Sequence, residues 1–312
     1  MGLMIGGVFH QEDPAPETPL DGAFRRQAST IRNTLPDGPL GPGRFHLYAA
    51  WNCPWAHRVL LTRAIKGLDK VITVSYALPR RTSDGWVFEY GEDPLFKASA
   101  LHQVYARVSP GYTGRITVPL LWDRVENQAV SNESADLVRM LGTLEGYGPN
   151  LAPADKIDAI EDWNAKIYPR LNNGVYRAGF ARTQEAYEAG FHDVFAMLDE
   201  LEAHLAQHRY LCGDALTEAD LRLFPTLARF DVAYHYAFKC NLRRLTDYPH
   251  LWGYARDLFS HPGVAETVRF DIYKTGYFSP SELRNPLGIV PVGPDVNWNS
   301  PHNRRQMSGS ES

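Results

Sequence analysis

The pattern of apolar residues changes near residue 146, and that change constrains the fold of this chain more than any other feature. Before it, short β-branched runs alternate with helical stripes; after it, the clear apolar runs repeat at three and four residues, as helices do. Phe45 to Ala49 reads as a first strand, and Leu60, Leu61, Ala64, Ile65 and Leu68 as the buried stripe of a helix. Val71 to Tyr76 is a second strand, and Ile116 to Trp122 a third. Strand, helix, strand with a crossover too long for a hairpin predicts an α/β unit with a parallel pair. Pro119 lies inside the third run and argues against a regular central ladder there, so the chain is expected to turn inward through a strained or cis bond. A second helix, carrying Leu137, Val138, Met140, Leu141 and Leu144, should begin near Ser131-Asn132-Glu133-Ser134.

Beyond Gly146-Tyr147-Gly148-Pro149-Asn150, one long stripe runs through Phe191, Val194, Phe195, Leu198, Leu201 and Leu205. Another opens at Thr217-Glu218-Ala219-Asp220, where Thr217 can cap and Asp220 stands at the third helical position. A later helix is marked by Leu251, Tyr254, Ala255 and Leu258. The expected organisation is an extended N-terminal arm over 1–44, an α/β domain over 45–146, an all-helical domain over 147–278 and an extended tail over 279–312.

An apolar fraction of 44% over 312 residues is enough to fill proper cores. A formal charge of -4 gives no cationic field to gather polyanions or anionic lipid, so neither nucleic acid nor a membrane is an expected partner. No apolar run approaches the roughly 20 residues of a spanning helix, and residues 1–11 lack the pattern of a signal peptide; a cytoplasmic protein is expected. Three cysteines exclude a secreted-type disulfide framework and fit a reducing compartment. No metal site is expected, since no cysteine or histidine pair near Cys53 has ligand spacing.

Cys53 is the residue most suited to chemistry. It stands between strand and helix, followed by Pro54, which fits a first helical turn because its missing N–H would go unused there. Backbone N–H groups at such a terminus stabilise negative charge and can lower a thiol from about 8.5 toward roughly 3.5 to 7.5. Ala56 occupies the position three residues on, so no internal dithiol exists and an external thiol must resolve any disulfide formed. Cys212 reads as structural and Cys240 as noncatalytic; His57 has no assigned role. Val118, held extended by Pro119, can offer backbone groups to a peptide-like ligand. Ser134 and neighbouring N–H groups can take a carboxylate and Glu133 an ammonium, although a plain helix cap explains Ser134 almost as well.

Taken together, Asn52-Cys53-Pro54-Trp55-Ala56-His57-Arg58, Arg115-Ile116-Thr117-Val118-Pro119, Asn132-Glu133-Ser134 and Tyr176-Arg177-Ala178-Gly179-Phe180-Ala181 resemble the glutathionyl-hydroquinone reductases, the xi class of glutathione transferases. The likeness continues through Thr217 to Phe224, Phe238-Lys239-Cys240-Asn241 and Asp247-Tyr248-Pro249, and spans roughly residues 45 to 294. It implies a thioredoxin-like N-terminal domain, a helical glutathione-transferase C-terminal domain and a homodimer. It also implies that Cys53 is the nucleophile, that Trp86, Arg115, Val118, Glu133 and Ser134 line a glutathione site, and that Tyr176 and Tyr277 face an aromatic quinol. Arginine suits a carboxylate and tyrosine hydroxyls suit an oxygen gaining charge. The implied reaction is glutathione-dependent reduction of glutathionyl-hydroquinones, with glutathione as co-substrate and no tightly bound cofactor. An omega-like thioltransferase or dehydroascorbate reductase, and a noncatalytic transferase-like interaction module, are the alternative readings.

Overall fold

In a computed structural model of the chain, described over residues 2–11, 21–36 and 40–307, two compact units appear. One comprises Met1–Glu17 with Arg26–Gly148, the other Thr18–Arg25 with Pro149–Ser312.

The first unit begins with a small hairpin, β1 (Leu3–Ile5) and β2 (Val8–His10), turned through Gly6 and Gly7, both at positive φ where a side chain would be strained. This hairpin lies in the stretch read from composition as an arm. The main elements follow in the order β3 (Phe45–Ala50), α1 (Pro54–Ile65), β4 (Ile72–Ala77), α2 (Leu101–Val108), β5 (Gly114–Arg115), β6 (Leu120–Asp123), β7 (Gln128–Ser131) and α3 (Ser134–Gly142). A four-stranded sheet runs β4-β3-β6-β7, with β3 and β4 parallel and the other two pairings antiparallel. Every residue of β3 is buried, which is why its sequence is continuously apolar apart from His46. His46 is accommodated by Thr73 Oγ1 at 2.7 Å and Ser75 Oγ at 3.0 Å, and burial pushes its pKa down to about 4, so it stays neutral in the core.

The run Ile116 to Trp122 is not one strand. Gly114–Arg115 pairs with β1, and only Leu120–Asp123 joins the main sheet. Pro119, having no N–H to offer a ladder, separates the two, and the Val118–Pro119 peptide is cis. The buried part of α1 also differs from the periodic stripe. It covers Pro54 and Ala56 to Thr62, including His57 and Arg58, while Ala64 and Ile65 are half-buried.

The second unit contains α4 (Ile157–Ile167), α5 (Gly174–Gly179), α6 (Gln184–Leu205), α7 (Glu218–Arg229), the short α8 (His235–Ala237), α9 (Pro249–Phe259) and α10 (Phe270–Tyr277). The 22-residue α6 is capped by Thr183 and buries Val194, Phe195, Leu198, Leu201 and Leu205. Its Gly190 lets α5 approach closely, since a methyl group there would lie 2.7 Å from the Ala178 nitrogen. Two π-helical turns interrupt the α-helices, Tyr168–Asn172 before α5 and Phe230–Tyr234 after α7. The tail is anchored rather than merely draped. Trp298 is buried among Phe224, Trp252, Phe259 and Phe270, and buried Arg304 donates to the carbonyls of Leu205, His208 and Arg209.

At the start of α7, Asp220 is fully buried and accepts from Thr217 N–H (2.9 Å), Thr217 Oγ1 (3.0 Å), Leu211 N–H (3.0 Å) and Tyr254 Oη (2.7 Å). Replacing it by alanine leaves these buried donors without their acceptor. Asp220→Ala is expected to lower unfolding stability by on the order of 4 kcal/mol, read as a fall in the urea midpoint. Asp136→Ala, which removes an exposed pairing to Arg32, should change it by less than about 1 kcal/mol.

Candidate active site

The end of β3 and the start of α1 are joined by Trp51, Asn52 and Cys53. Cys53 N–H donates to the Ala50 carbonyl at 3.0 Å, which closes the turn. The backbone of Cys53 is extended (φ -81, ψ 118), Pro54 takes the first helical position, and the Cys53 carbonyl accepts from His57 N–H at 3.0 Å. Cys53 is therefore the N-cap residue of α1, at the helix end where unsatisfied N–H groups concentrate positive potential, although its side chain makes no capping hydrogen bond. The thiol points to the Val118 carbonyl, Sγ to O 3.3 Å, and Cys53 retains 9% of its surface open.

Trp55, one position into the helix, is flanked by two guanidinium groups, Arg26 at 4.8 Å and Arg58 at 4.6 Å from its ring centroid. Arg58 is buried and its Nη1 lies 3.5 Å from Ser134 Oγ, a long contact from α1 to the start of α3. The N-cap of α3 is Glu133 rather than Ser134. Its carboxylate accepts from Ala135 N–H at 3.0 Å, and Ser134 becomes the first helical residue, buried, its N–H one of the first-turn donors that no carbonyl of the helix itself can satisfy.

Trp86 belongs to the same packed core as Cys53 and Val118. Its ring lies 4.3 Å from the Arg81 guanidinium, and its buried Nε1 finds no acceptor among the described residues. Arg115 is buried on β5, its carbonyl taken by Tyr112 Oη at 2.8 Å. The structure thus joins Cys53 to Val118 directly, sets Glu133 and Ser134 side by side at one helix terminus, and packs Trp86 into the core they share with the sheet.

Tyr176 and Tyr277 meet in the second unit, hydroxyl to hydroxyl at 2.7 Å. A third phenol, Tyr234, completes the group with its Oη 3.0 Å from that of Tyr277. Phe24, Phe180 and Phe238 surround the Tyr176 ring at centroid distances of 6.4, 5.9 and 5.3 Å. Gly179 permits this packing, because a methyl group on it would fall 2.2 Å from Phe238 Cγ. Burial raises the pKa of Tyr234 and Tyr277 well above the ordinary phenol value, with the neighbouring phenol of Tyr176 adding to it. Both are neutral hydrogen-bond donors at any ordinary pH.

Tyr234 was missed from the sequence. The one available signal was the four-residue spacing of Phe230, Tyr234 and Phe238, which reads equally well as plain core.

Two family models match the chain: the glutathione S-transferase N-terminal domain over residues 52–144 and the glutathione S-transferase C-terminal domain over residues 184–257. Glutathionyl-hydroquinone reductase PcpF of Sphingobium chlorophenolicum is 48% identical over 94% of this chain and 96% of its own length. The chain belongs to the xi-class glutathione transferases. A xi-class transferase structure from Natrialba magadii covers 99% of this chain and 98% of its own, at 38% identity and a TM-score of 0.91. The glutathione-bound structure of YqjG, a glutathione transferase homolog from Escherichia coli K-12, superposes with a TM-score of 0.87 at 40% identity, covering 97% of this chain and 99% of its own. The first unit of this xi-class chain is accordingly its thioredoxin-like domain, and the helices of the second are those of the transferase C-terminal domain.

The remaining cysteines have a different chemistry. Burial pushes the Cys212 thiol up to about 11 and the Cys240 thiol up to about 12. Thiolate, the reactive form, is then on the order of one part in a thousand and one in ten thousand at pH 8. Brief treatment of the native protein with iodoacetamide at pH 8 should modify Cys53 alone. Peptide mass spectrometry is expected to find a single alkylated site, and Cys53→Ser should abolish it.

Proposed function

We propose that this chain reduces glutathionyl-hydroquinones to hydroquinones at the expense of glutathione, with Cys53 as the nucleophile. The observation that carries the reading is the placement of Cys53 as the N-cap of α1 in a chain 48% identical to a glutathionyl-hydroquinone reductase. In the first step the Cys53 thiolate attacks the glutathionyl sulfur. The sulfur–carbon bond breaks, the aromatic carbon takes a proton, and hydroquinone leaves while Cys53 is held as a mixed disulfide with glutathione. In the second step the thiolate of a second glutathione attacks the glutathionyl sulfur of that disulfide, releasing oxidised glutathione and the Cys53 thiolate. The sum consumes one glutathione per quinol and needs no other reductant.

Each residue has a part in this reading. Residues 45–146 bind glutathione and residues 147–278 receive the aromatic part. The open N–H groups at Ser134 take a carboxylate of glutathione, Glu133 its ammonium, and the Val118 backbone its peptide. Trp86 and Arg115 complete that side; the Trp86 Nε1, buried and without an acceptor among the described residues, is a donor suited to a ligand oxygen. The hydroxyls of Tyr176 and Tyr277 are donors for the quinol oxygen as charge develops on it. A thiolate alone supplies nothing to a departing aromatic carbon, and this is the reason for a dedicated phenol cluster.

We also propose a homodimer working in the cytoplasm. Three free cysteines fit a reducing compartment, and among the described residues no helix is long and apolar enough to cross a membrane.

Glutathionyl-menadiol with glutathione is the decisive assay, followed as quinol release together with the Cys53 adduct. Cys53→Ser is expected to lose at least about a thousandfold in rate; equal activity of wild type and Cys53→Ser would sink the mechanism. Tyr176→Phe and Tyr277→Phe should each slow quinol release about 10- to 100-fold, while leaving reduction of a small mixed disulfide within about threefold. A mixed disulfide reduced faster than glutathionyl-menadiol would favour the omega-like alternative instead.

A further inference from the structure

Beneath the three phenols lies a cation that the proposed reaction does not use. Arg229, the last residue of α7, has no exposed surface. Its guanidinium carbon is 3.7 Å from the centre of the Tyr273 ring, and Nη1 donates to the Pro225 carbonyl at 2.9 Å. Tyr273 and Tyr277 are four residues apart on α10, so the helix face that stacks on Arg229 also carries Tyr277. Immediately after Arg229 the chain enters the π turn Phe230–Tyr234, where His235 N–H reaches back to the Phe230 carbonyl, and that turn delivers Tyr234 to Tyr277. One short segment therefore places both the cation and a member of the hydroxyl network.

Placing a guanidinium in the interior is costly unless neighbouring groups compensate its charge. Burial works against the charge of Arg229, and the phenols of Tyr273, Tyr277, Tyr234 and Tyr176 overcome it, raising its pKa. The influence is mutual. Burial is what chiefly raises Tyr277, the phenols of Tyr176 and Tyr234 add to this, and Arg229 acts in the opposite direction. The other cation facing the cluster is Arg284, whose guanidinium lies 4.2 Å from the Phe180 ring centre and feels Tyr176.

We propose that Arg229 is a positioning residue for the reaction: its buried charge polarises the Tyr176–Tyr277–Tyr234 hydroxyl network so that the network stabilises a phenolate oxygen. This rests on the reading of Tyr176 and Tyr277 as the residues that meet the quinol. An aromatic ligand entering a wholly neutral, desolvated phenol cluster would resist ionisation. With a cation behind the donors, the field falls on the oxygen that gains charge as the quinol departs, and the hydroxyls need not themselves ionise.

The test uses 4-nitrophenol bound to the full-length protein, its ionisation followed by visible absorbance against pH. In wild type its midpoint is expected below that of free 4-nitrophenol. Arg229→Met should raise the bound midpoint by about one pH unit, a tenfold loss of preference for the phenolate, and Arg229→Lys should restore it to within about threefold. A packing role alone would move the melting temperature without this charge-dependent shift.

A wild-type midpoint at or above that of free 4-nitrophenol overturns the proposal, and this holds even where Arg229→Met does not fold. So does an Arg229→Met midpoint equal to wild type, or an Arg229→Lys midpoint as high as that of Arg229→Met. Tyr176→Phe and Tyr277→Phe separate the two layers of argument. If neither changes binding or absorbance of the probe, the assignment of the phenol cluster falls and Arg229 with it; if they do and Arg229→Met does not, Arg229 alone falls.

Discussion

The junction of β3 and α1 is the constraint on which the rest of the first unit depends. The buried strand β3 leads directly into α1, and a helix begins with N–H groups that no carbonyl of its own can satisfy. Putting Cys53 at the cap brings its thiol to the positive end of the helix, and putting Pro54 next removes one donor that would otherwise need a partner. The sulfur is held from the other side by the Val118 carbonyl, in the segment where Pro119 breaks the ladder between β5 and β6. A neutral thiol can donate to that carbonyl, while a thiolate would find only an acceptor there. The contact therefore belongs to the protonated thiol, and the N–H groups of the helix favour the anion.

The second unit solves a different problem, that of keeping several hydroxyls together in an aromatic interior. A buried phenol is tolerated when its oxygen has a partner, and here the partners are the other phenols. The helix that carries Tyr176 follows one π turn and Tyr234 lies within the other, while the helix that carries Tyr277 follows a 3-10 turn, Ala265–Thr267. A π turn rotates the residues after it relative to those before, so a side chain can be aimed at a neighbour without disturbing the packing of the preceding helix. Pro225 inside α7 contributes to the same irregularity, since it cannot donate to the turn before it.

What could be read from residues alone follows from how local the causes are. Cys53 and Pro54 announce a helix start because capping is decided within a few residues, and the same holds for Thr217 and Asp220. The β-branched run Val71 to Tyr76, within one residue of the observed β4, and the stripe of α6 were legible for similar reasons. The hairpin at 3–10 was not, because strands of three residues carry no period to detect; Gly6-Gly7 was the only sign of its turn. Tyr234 escaped because its spacing from Phe230 and Phe238 reads as plain core, and its partners Tyr176 and Tyr277 lie on other elements, 58 and 43 residues away. Arg229 escaped because an arginine on a helix is assigned to solvent unless tertiary packing says otherwise. Trp298 and Arg304 likewise gain their places only through partners up to about a hundred residues away.

Three cysteines in one chain show how far burial and backbone geometry divide identical side chains. For Cys212 and Cys240 burial outweighs what favours the anion, Thr217 and Lys156 beside the first and Lys239 beside the second, and their thiols are pushed to about 11 and about 12. Cys53 is nearly as enclosed as Cys212, at 9% against 8% open surface, so exposure does not separate them. What separates them is the direction of the nearest dipoles. Cys53 caps the N-terminus of a twelve-residue helix, whereas Cys212 lies in a turn and Cys240 in an irregular segment after α8. The same logic applies to oxygen in the second unit, where burial suppresses phenolate and a nearby guanidinium works against that suppression. In both units, then, the chain takes a group that desolvation would hold neutral and sets fixed positive potential beside it, a helix terminus for sulfur and Arg229 for phenolic oxygen. Cleaving an aryl carbon–sulfur bond makes both demands, because the attacking sulfur must be an anion while the departing ring needs its developing charge met by donors that are already in place.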